Sequence, residues 1–156
     1  MTIATRVEAY LKKHGASYEL IAHKATGSTH ESATAAQVRE DHIAKAVIVR
    51  DGAEHAMVVI PGSTWLRLDH LNQETGRAFA LDEESDLSAL FPDCAAGAVP
   101  PLGPAYGLET FLDEGLTTLA EIHFEAGDHQ HLITLDGETF VRLLHGARRG
   151  QFGRES

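Results

Sequence analysis

Apolar residues along the chain follow two kinds of spacing. In five segments they recur every three or four positions, as on one face of a helix. These segments are residues 5–14, 32–39, 65–74, 83–90 and 137–144. In six shorter segments β-branched and aromatic residues concentrate, which is typical of strands. These segments are residues 18–23, 44–50, 55–60, 108–112, 118–125 and 131–135. The mixture predicts a single mixed α/β (α+β) domain over residues 1–156, with a central, mostly antiparallel sheet flanked by helices.

Glycine and proline mark the connections between these segments. Asp51-Gly52 lies between two strand segments and predicts a hairpin turn. Residues 95–107, AAGAVPPLGPAYG, contain three glycines and three prolines and predict a loop of largely fixed conformation. Residues 149–156 carry neither pattern, so we expect a frayed C-terminal tail.

One lysine interrupts an otherwise apolar strand. Residues 44–50 read AKAVIVR, and Lys45 is the only charged residue before the final arginine. Placing an ammonium among such neighbours costs desolvation energy. Its stem therefore extends to water, or its amine meets a polar group or a ligand in a cleft.

Composition indicates a soluble, cytoplasmic protein. The chain has 156 residues, of which 43% are hydrophobic, the size of one ordinary domain. No run approaches the roughly 18 apolar residues of a membrane span, and the N-terminus lacks the apolar stretch of a signal peptide. The single cysteine, Cys94, cannot form an internal disulfide or a cysteine-based zinc site, and we expect it to pack as a small hydrophobic side chain.

The charge is unevenly distributed. The net charge is -10, which argues against extensive contact with nucleic-acid phosphates. Residues 1–80 hold nine basic and nine acidic side chains, whereas residues 81–156 hold four and fourteen. A basic surface for RNA would therefore belong to the N-terminal half and the arginines of the tail. An acidic surface that only favours solubility explains the same numbers.

Known catalytic motifs are missing, which leaves few candidates for chemistry. The sequence has no GxSxG elbow, no phosphate-binding glycine loop and no HExxH. His129 and His131 would share one face of a strand, so a metal site is an alternative if a third ligand joins them. The segment GSTHES, residues 27–32, could supply a Ser/His pair for chemistry, but a helix cap at Ser28 or Thr29 is the favoured interpretation.

A resemblance to a known family emerges from the order of these parts. The strand AKAVIVRDG, followed by VVIP, GAVPPLG, LETFLDEGL and FEAGDHQHLITLDGETFVRLL, resembles the YbaK-like aminoacyl-tRNA editing family. This family includes the prolyl-tRNA editing proteins and the insertion domain of bacterial prolyl-tRNA synthetase. The similarity spans roughly residues 5–145. Its most diagnostic parts are the strand lysine, Lys45, and a GxxxP loop, Gly97 to Pro101.

The resemblance implies hydrolysis of the ester that joins a wrong amino acid to tRNA, without a metal or organic cofactor. Lys45 would hold substrate oxygens near the terminal adenosine. The loop would grip the aminoacyl group and His129 would lie in the pocket. The loop residues concerned are Gly97, Ala98, Val99, Pro100 and Pro101. The implied partners are a mischarged tRNA and an aminoacyl-tRNA synthetase. The alternative function is a binding module that recognises aminoacylated tRNA ends or a small metabolite without turnover.

Overall fold

The computed structural model describes residues 3–24, 26, 28–95 and 97–155. Five α-helices occur in these ranges: α1 (Thr5–Lys13), α2 (Thr29–Ala36), α3 (Leu68–Thr75), α4 (Glu84–Leu90) and α5 (Gly137–Leu143). The strands there are β1 (Glu19–Ala22), β2 (Ala44–Asp51), β3 (Glu54–Pro61), β4 (Trp65–Leu66), β5 (Ala80–Leu81), β6 (Glu109–Asp113), β7 (Glu121–Glu125), β8 (His131–Asp136), β9 (Arg148–Gly150) and β10 (Gly153–Arg154). No helix of this part of the chain is long and apolar enough to cross a bilayer.

The strands form two main sheets and one short ribbon. The larger sheet has the order β5-β2-β3-β6-β9, in which β2 pairs antiparallel with β3 and β3 pairs parallel with β6. The smaller sheet, β1-β8-β7, is antiparallel throughout. A parallel bridge between Ile43 and His123 joins them. The mixed α/β class is confirmed. The strands are shared between two sheets that meet at this bridge, instead of forming one sheet.

Side chains of β2 and β7 alternate between two faces of the joined sheets. Ala44 and Ile48 of β2 and Phe124 of β7 enter the main hydrophobic core, beneath α1 and α5. Because successive strand residues point to opposite faces, Lys45 and Glu125 point away from that core. Because the bridge between Ile43 and His123 is parallel, the residues two positions further along, Lys45 and Glu125, project from the same face. This face is partly covered by α2, where Ala33 packs with Ile43 and Leu132, and Lys45 and Glu125 project from it beside this small apolar cluster.

Local turn chemistry explains the elements that the sequence predicted well. The β2–β3 hairpin turns at Asp51-Gly52, where Gly52 has the positive φ of 64° that its turn requires. The side chain of Ser28 caps α2 by accepting a hydrogen bond from the N–H of Glu31 at 3.2 Å. The expected cap is therefore confirmed, and α2 begins three residues earlier than its alanine pattern predicted.

The predicted helix over residues 65–74 is wrong at its start. Trp65 and Leu66 form β4, which pairs with β10, and the helix begins only at Leu68. The N–H of Arg67 donates to the carbonyl of Phe152 at 2.7 Å, which extends the pairing by one step. A long-range backbone pairing therefore overrides the local helical pattern at this point.

The expectation of a frayed tail over residues 149–156 is also wrong for the part that the structure describes. Residues 148–150 add β9 to the edge of the large sheet, and β10 follows. Phe152 is fully buried, with its ring 5.8 Å from that of Phe111. The carboxylate of Asp113 accepts hydrogen bonds from the N–H groups of Phe152 and Gly153, at 2.8 and 2.7 Å. One aromatic anchor and one acceptor thus hold the tail in place.

We expect Phe152→Ala to lower the free energy of unfolding by about 3 to 5 kcal/mol, because it leaves a cavity under the large sheet. Urea denaturation followed by circular dichroism measures the change. Gln151→Ala, at the exposed neighbouring residue, is the control and should stay within about 0.5 kcal/mol of the parent. Equal stability of the two variants would show that the tail does not dock.

Candidate active site

Lys45 points into a cavity and not into open solvent. Its half-buried amine donates to the carbonyl oxygen of Gly62 over a long 3.4 Å. The cavity measures 360 Å³ and is also lined by Glu40, Ser63 and Trp65. This volume falls in the ordinary range for small-ligand sites, about 300 to 1,000 Å³.

A glycine turn forms the wall beside the amine. The N–H of Gly62 donates to the carbonyl of Ile43 at 2.7 Å, so the turn after β3 is tied to the start of β2. A Cβ atom at Gly62 would lie 2.8 Å from the carbonyl oxygen of Glu40. Only glycine therefore allows the turn to approach the segment at residues 40–43 so closely.

The charge of Lys45 is only partly compensated. Burial lowers the pKa of its amine, an effect that the negative charge of Glu40 opposes. Glu40 is itself engaged by His30, whose Nδ1 lies 2.8 Å from its carboxylate. With a long hydrogen bond and no close carboxylate of its own, the amine retains the capacity to bind a substrate oxygen.

A buried hydroxyl lies in the same cavity without a partner. Ser63 Oγ is inaccessible to solvent and makes no hydrogen bond within the described residues. An unsatisfied buried polar atom costs about 1 to 3 kcal/mol, so such atoms are expected mainly where a ligand or a water completes them. Lys45 thus offers a donor to this cavity, and the Ser63 hydroxyl is an unsatisfied donor buried in its wall.

The predicted GxxxP loop lies elsewhere in the fold. Gly97, with a φ of 77°, and Val99 line a second cavity of 210 Å³ together with Phe91 and Cys94. Ala98, Pro100 and Pro101 are buried. The N–H of Ala95 donates to the carbonyl of Gly127 at 2.7 Å, which fixes the start of the loop against the β7–β8 turn. The two cavities share no lining residue.

Cys94 behaves as the sequence predicted, with one addition. The thiol is half-buried and lies 3.4 Å from the hydroxyl of Tyr106, which donates to Asp93 at 3.1 Å. Burial raises the pKa of Cys94 to about 12. The group therefore stays a neutral thiol at physiological pH and is a weak nucleophile.

His129 lies beside a buried carboxylate that the sequence analysis did not single out. Its Nδ1 is 3.4 Å from Oε2 of Glu125, and both residues are buried. Neither carboxylate oxygen of Glu125 has a hydrogen bond of good geometry within the described chain. Burial raises the pKa of Glu125, against the opposing influence of Ser32 and His129. This pair lies on the same sheet face as Lys45, at the other side of the Ile43 bridge.

The expectation that His129 and His131 share a strand face is wrong. His129 has a φ of 59° and precedes β8, which begins at His131. The ring of His131 turns instead to Asp128, at 2.8 Å. No group of three metal-ligating side chains converges in the part of the chain that the structure describes. The third ligand required by the metal alternative, whether His123, His30 or His23, is therefore not found there.

Comparison with known proteins identifies the family. The sequence profile of the aminoacyl-tRNA editing domain matches residues 23–143. The chain belongs to the aminoacyl-tRNA editing domain family. A comparison with curated protein sequences found no match.

Solved structures share the fold of this editing domain over nearly its whole length. The hypothetical protein APE2540 is 25% identical, with a TM-score of 0.83 over 96% of this chain and 99% of that one. A proposed trans-editing enzyme for prolyl-tRNA synthetase is 22% identical, with a TM-score of 0.82 over 97% and 96%. A proposed signal transduction protein from Marinobacter aquaeolei is 19% identical, with a TM-score of 0.78, and here the match covers 96% of this chain but 30% of that one. The same fold thus occurs both alone and within a longer chain.

The editing domain contains site features that sequence reasoning missed. The sequence FEAG predicts a glutamate at the end of a strand for Glu125, and the sequence around Ser63 predicts a turn. Neither pattern reveals that the side chain is buried. For Ser63, the signal that could have found it is its position two residues after the apolar run of β3, close to the end of the strand that pairs with Lys45.

We expect Glu125→Gln to gain stability relative to the parent as pH rises. A carboxyl with a raised folded-state pKa keeps its proton at pH values where the unfolded chain has lost it, so its contribution to stability falls above its ordinary value of 4.5. Glutamine cannot ionise, so the difference between variant and parent should grow with pH, by at most about 1.4 kcal/mol per pH unit.

Urea denaturation between pH 4.5 and 8 measures this difference. Glu19→Gln, at an exposed carboxylate of the same three-stranded sheet, is the matched control and should show no such growth. A constant difference between Glu125→Gln and the parent over the whole range would contradict the buried, poorly compensated carboxyl.

Proposed function

We propose that the protein is an aminoacyl-tRNA deacylase that acts in trans and hydrolyses the ester bond of a mischarged tRNA. The observation that carries the proposal is the half-buried amine of Lys45 in a cavity with an unpartnered hydroxyl and an exposed aromatic ring. Membership of the editing family supports the reaction class. Aminoacyl-tRNA is made in the cytoplasm, where we expect the protein to act.

Lys45 stabilises the charge that develops on the ester carbonyl. A water molecule adds to the carbonyl carbon, and the carbonyl oxygen gains negative charge within reach of the amine. The bond from carbon to the ribose oxygen then breaks, the ribose oxygen takes up the proton that the attacking water has lost, and the free amino acid leaves. Removing one donor of this kind typically costs about 100- to 1,000-fold in rate.

No covalent intermediate or cofactor is needed in this proposal. An aminoacyl ester is already activated, so orientation and charge stabilisation supply most of the acceleration. In this proposal Ser63 turns its hydroxyl toward the cavity and donates to the same carbonyl or holds the attacking water. A ribose hydroxyl of the substrate can assist in activating that water.

In this proposal the loop and His129 determine which amino acid the site accepts. Buried prolines make the loop at residues 97–101 stiff. The loop would exclude the correct, larger amino acid by size where the amino acid side chain extends from the Lys45 cavity to the cavity beside the loop. His129, held by Glu125, would bound the pocket from the β7–β8 turn. Because the loop and Lys45 line separate cavities, loop variants should change amino acid preference more than the rate of the ester hydrolysis step.

A binding module without turnover is the second candidate. The acidic C-terminal half, with fourteen acidic and four basic residues over 81–156, favours it because it limits contact with RNA. An aminoacyl-tRNA synthetase partner would supply the missing affinity in either case. Saturable binding of a non-hydrolysable aminoacyl-tRNA mimic, with no release of amino acid from any mischarged tRNA, would select this candidate.

We expect Lys45→Ala to reduce deacylation at least 100-fold while the fold stays intact. Release of radiolabelled amino acid from a panel of mischarged tRNAs measures activity, and circular dichroism with thermal melting reports the fold. Lys13→Ala, at an exposed lysine of α1, is the charge-matched control and should retain full activity. Full activity of Lys45→Ala on the preferred substrate would refute the proposed mechanism.

A further inference from the structure

A two-stranded ribbon beside the candidate active site presents an unusual surface. Trp65 of β4 is 66% exposed, although it lies within an ordered pairing with β10. An exposed aromatic ring of this kind offers its face to a ligand that can stack on it. The ring is close to the site, since Lys45 Nζ lies 5.0 Å from its centroid.

The register of the ribbon places two arginines beside this ring. Arg154 is the cross-strand partner of Trp65. Directly opposed residues of an antiparallel pair project from the same face. Arg67, two residues after Trp65, lines the same cavity as Trp65 and Arg154. An aromatic ring and two guanidinium groups thus share one surface.

Arg67 and Arg154 differ from the three arginines that form ion pairs within the described residues. Arg39, Arg50 and Arg77 are each neutralised by carboxylates within 3.1 Å. Neither Arg67 nor Arg154 forms an ion pair within the described residues. Their charge is therefore available to an anionic partner.

The ribbon borders a cavity that adjoins the candidate active site. This cavity measures 580 Å³ and is lined by Trp65, Arg67, His70, Gln73 and Arg154, together with Asp69 as its one carboxylate. Trp65 also lines the Lys45 cavity. An extended ligand that lies across the Trp65 ring could therefore contact Arg67 and Arg154 at one end and the Lys45 amine at the other.

We propose that this ribbon binds the single-stranded 3′ end of the tRNA, with a base stacked on Trp65 and backbone phosphates held by Arg67 and Arg154. The inference rests on the proposed deacylase function and extends it to the partner surface. Single-stranded nucleic acid is recognised by this combination, because every base has a stacking face and every linkage carries a negative charge. Double-stranded RNA does not offer a free base to an exposed ring.

Binding of a fluorescein-labelled four-nucleotide RNA ending in CCA tests the ribbon without any hydrolysis. We expect Trp65→Ala to weaken binding about 5- to 100-fold, the range for loss of one stacked base, and Trp65→Phe to restore most of the affinity. Arg67→Ala and Arg154→Ala should each weaken binding and reduce the slope of log affinity against log salt by about 0.7, the value for one phosphate of a single strand.

Arg149→Ala is the matched control, because Arg149 is exposed and lies on β9, away from the ribbon. It should leave both the affinity and the salt slope unchanged. Parent-like binding by Trp65→Ala, equal losses for Arg149→Ala and Arg154→Ala, or no binding of the RNA to the parent would each overturn the proposal. So would preferential binding of an acidic peptide at the ribbon.

Deacylation assays on the same variants separate this inference from the proposed function. If the parent deacylates a mischarged tRNA and the ribbon variants do so with unchanged KM, the ribbon inference fails and the deacylase stands. If the ribbon binds RNA as expected but no mischarged tRNA is hydrolysed, the deacylase fails and the ribbon stands. The two proposals therefore have distinguishable failures.

Discussion

The backbone around Ile43 is the constraint on which the site depends. Ile43 bridges to His123 and accepts the N–H of Gly62, so one residue joins the two sheets and the turn after β3. This junction decides which face of the sheet receives each side chain. Lys45 and Glu125 therefore share one face, while their neighbours along the strands enter the main core on the other. The cavity is a consequence of the junction between the sheets, not of any single loop.

Unsatisfied polar groups concentrate on this face. The amine of Lys45 has only one long hydrogen bond, Ser63 Oγ has none within the described residues, and Glu125 is buried with weak compensation. Buried polar atoms elsewhere in this part of the fold are mostly satisfied, as Asp113 is by the backbone of the tail. Folded proteins tolerate such local costs mainly where function requires them. This contrast, together with the family, supports placing the chemistry here.

Local sequence patterns predict the elements that depend on neighbouring residues. The elements that they predict wrongly depend on pairings between distant parts of the chain. Asp51-Gly52 and Ser28 act within a few residues, so the hairpin and the cap followed from the sequence. The local apolar spacing places Trp65 in a helix. Its strand partner, Arg154, lies 89 positions away, so the pairing has no local signature in the sequence. Lys45 could be singled out because a charge in an apolar strand is conspicuous. Glu125 could not, since only the folded chain shows that a strand-end glutamate is buried.

The central claim is that the Lys45 amine lies in the substrate cavity and contacts the aminoacyl end. Nuclear magnetic resonance of lysine side chains, titrated with pH and with a non-hydrolysable aminoacyl-adenosine, tests this directly. The account predicts that the Lys45 ε-methylene signal titrates below an ordinary lysine pKa of 10.5 and shifts when the ligand binds, but not with free amino acid. A signal that titrates like an exposed lysine and stays unchanged at ligand saturation would contradict it.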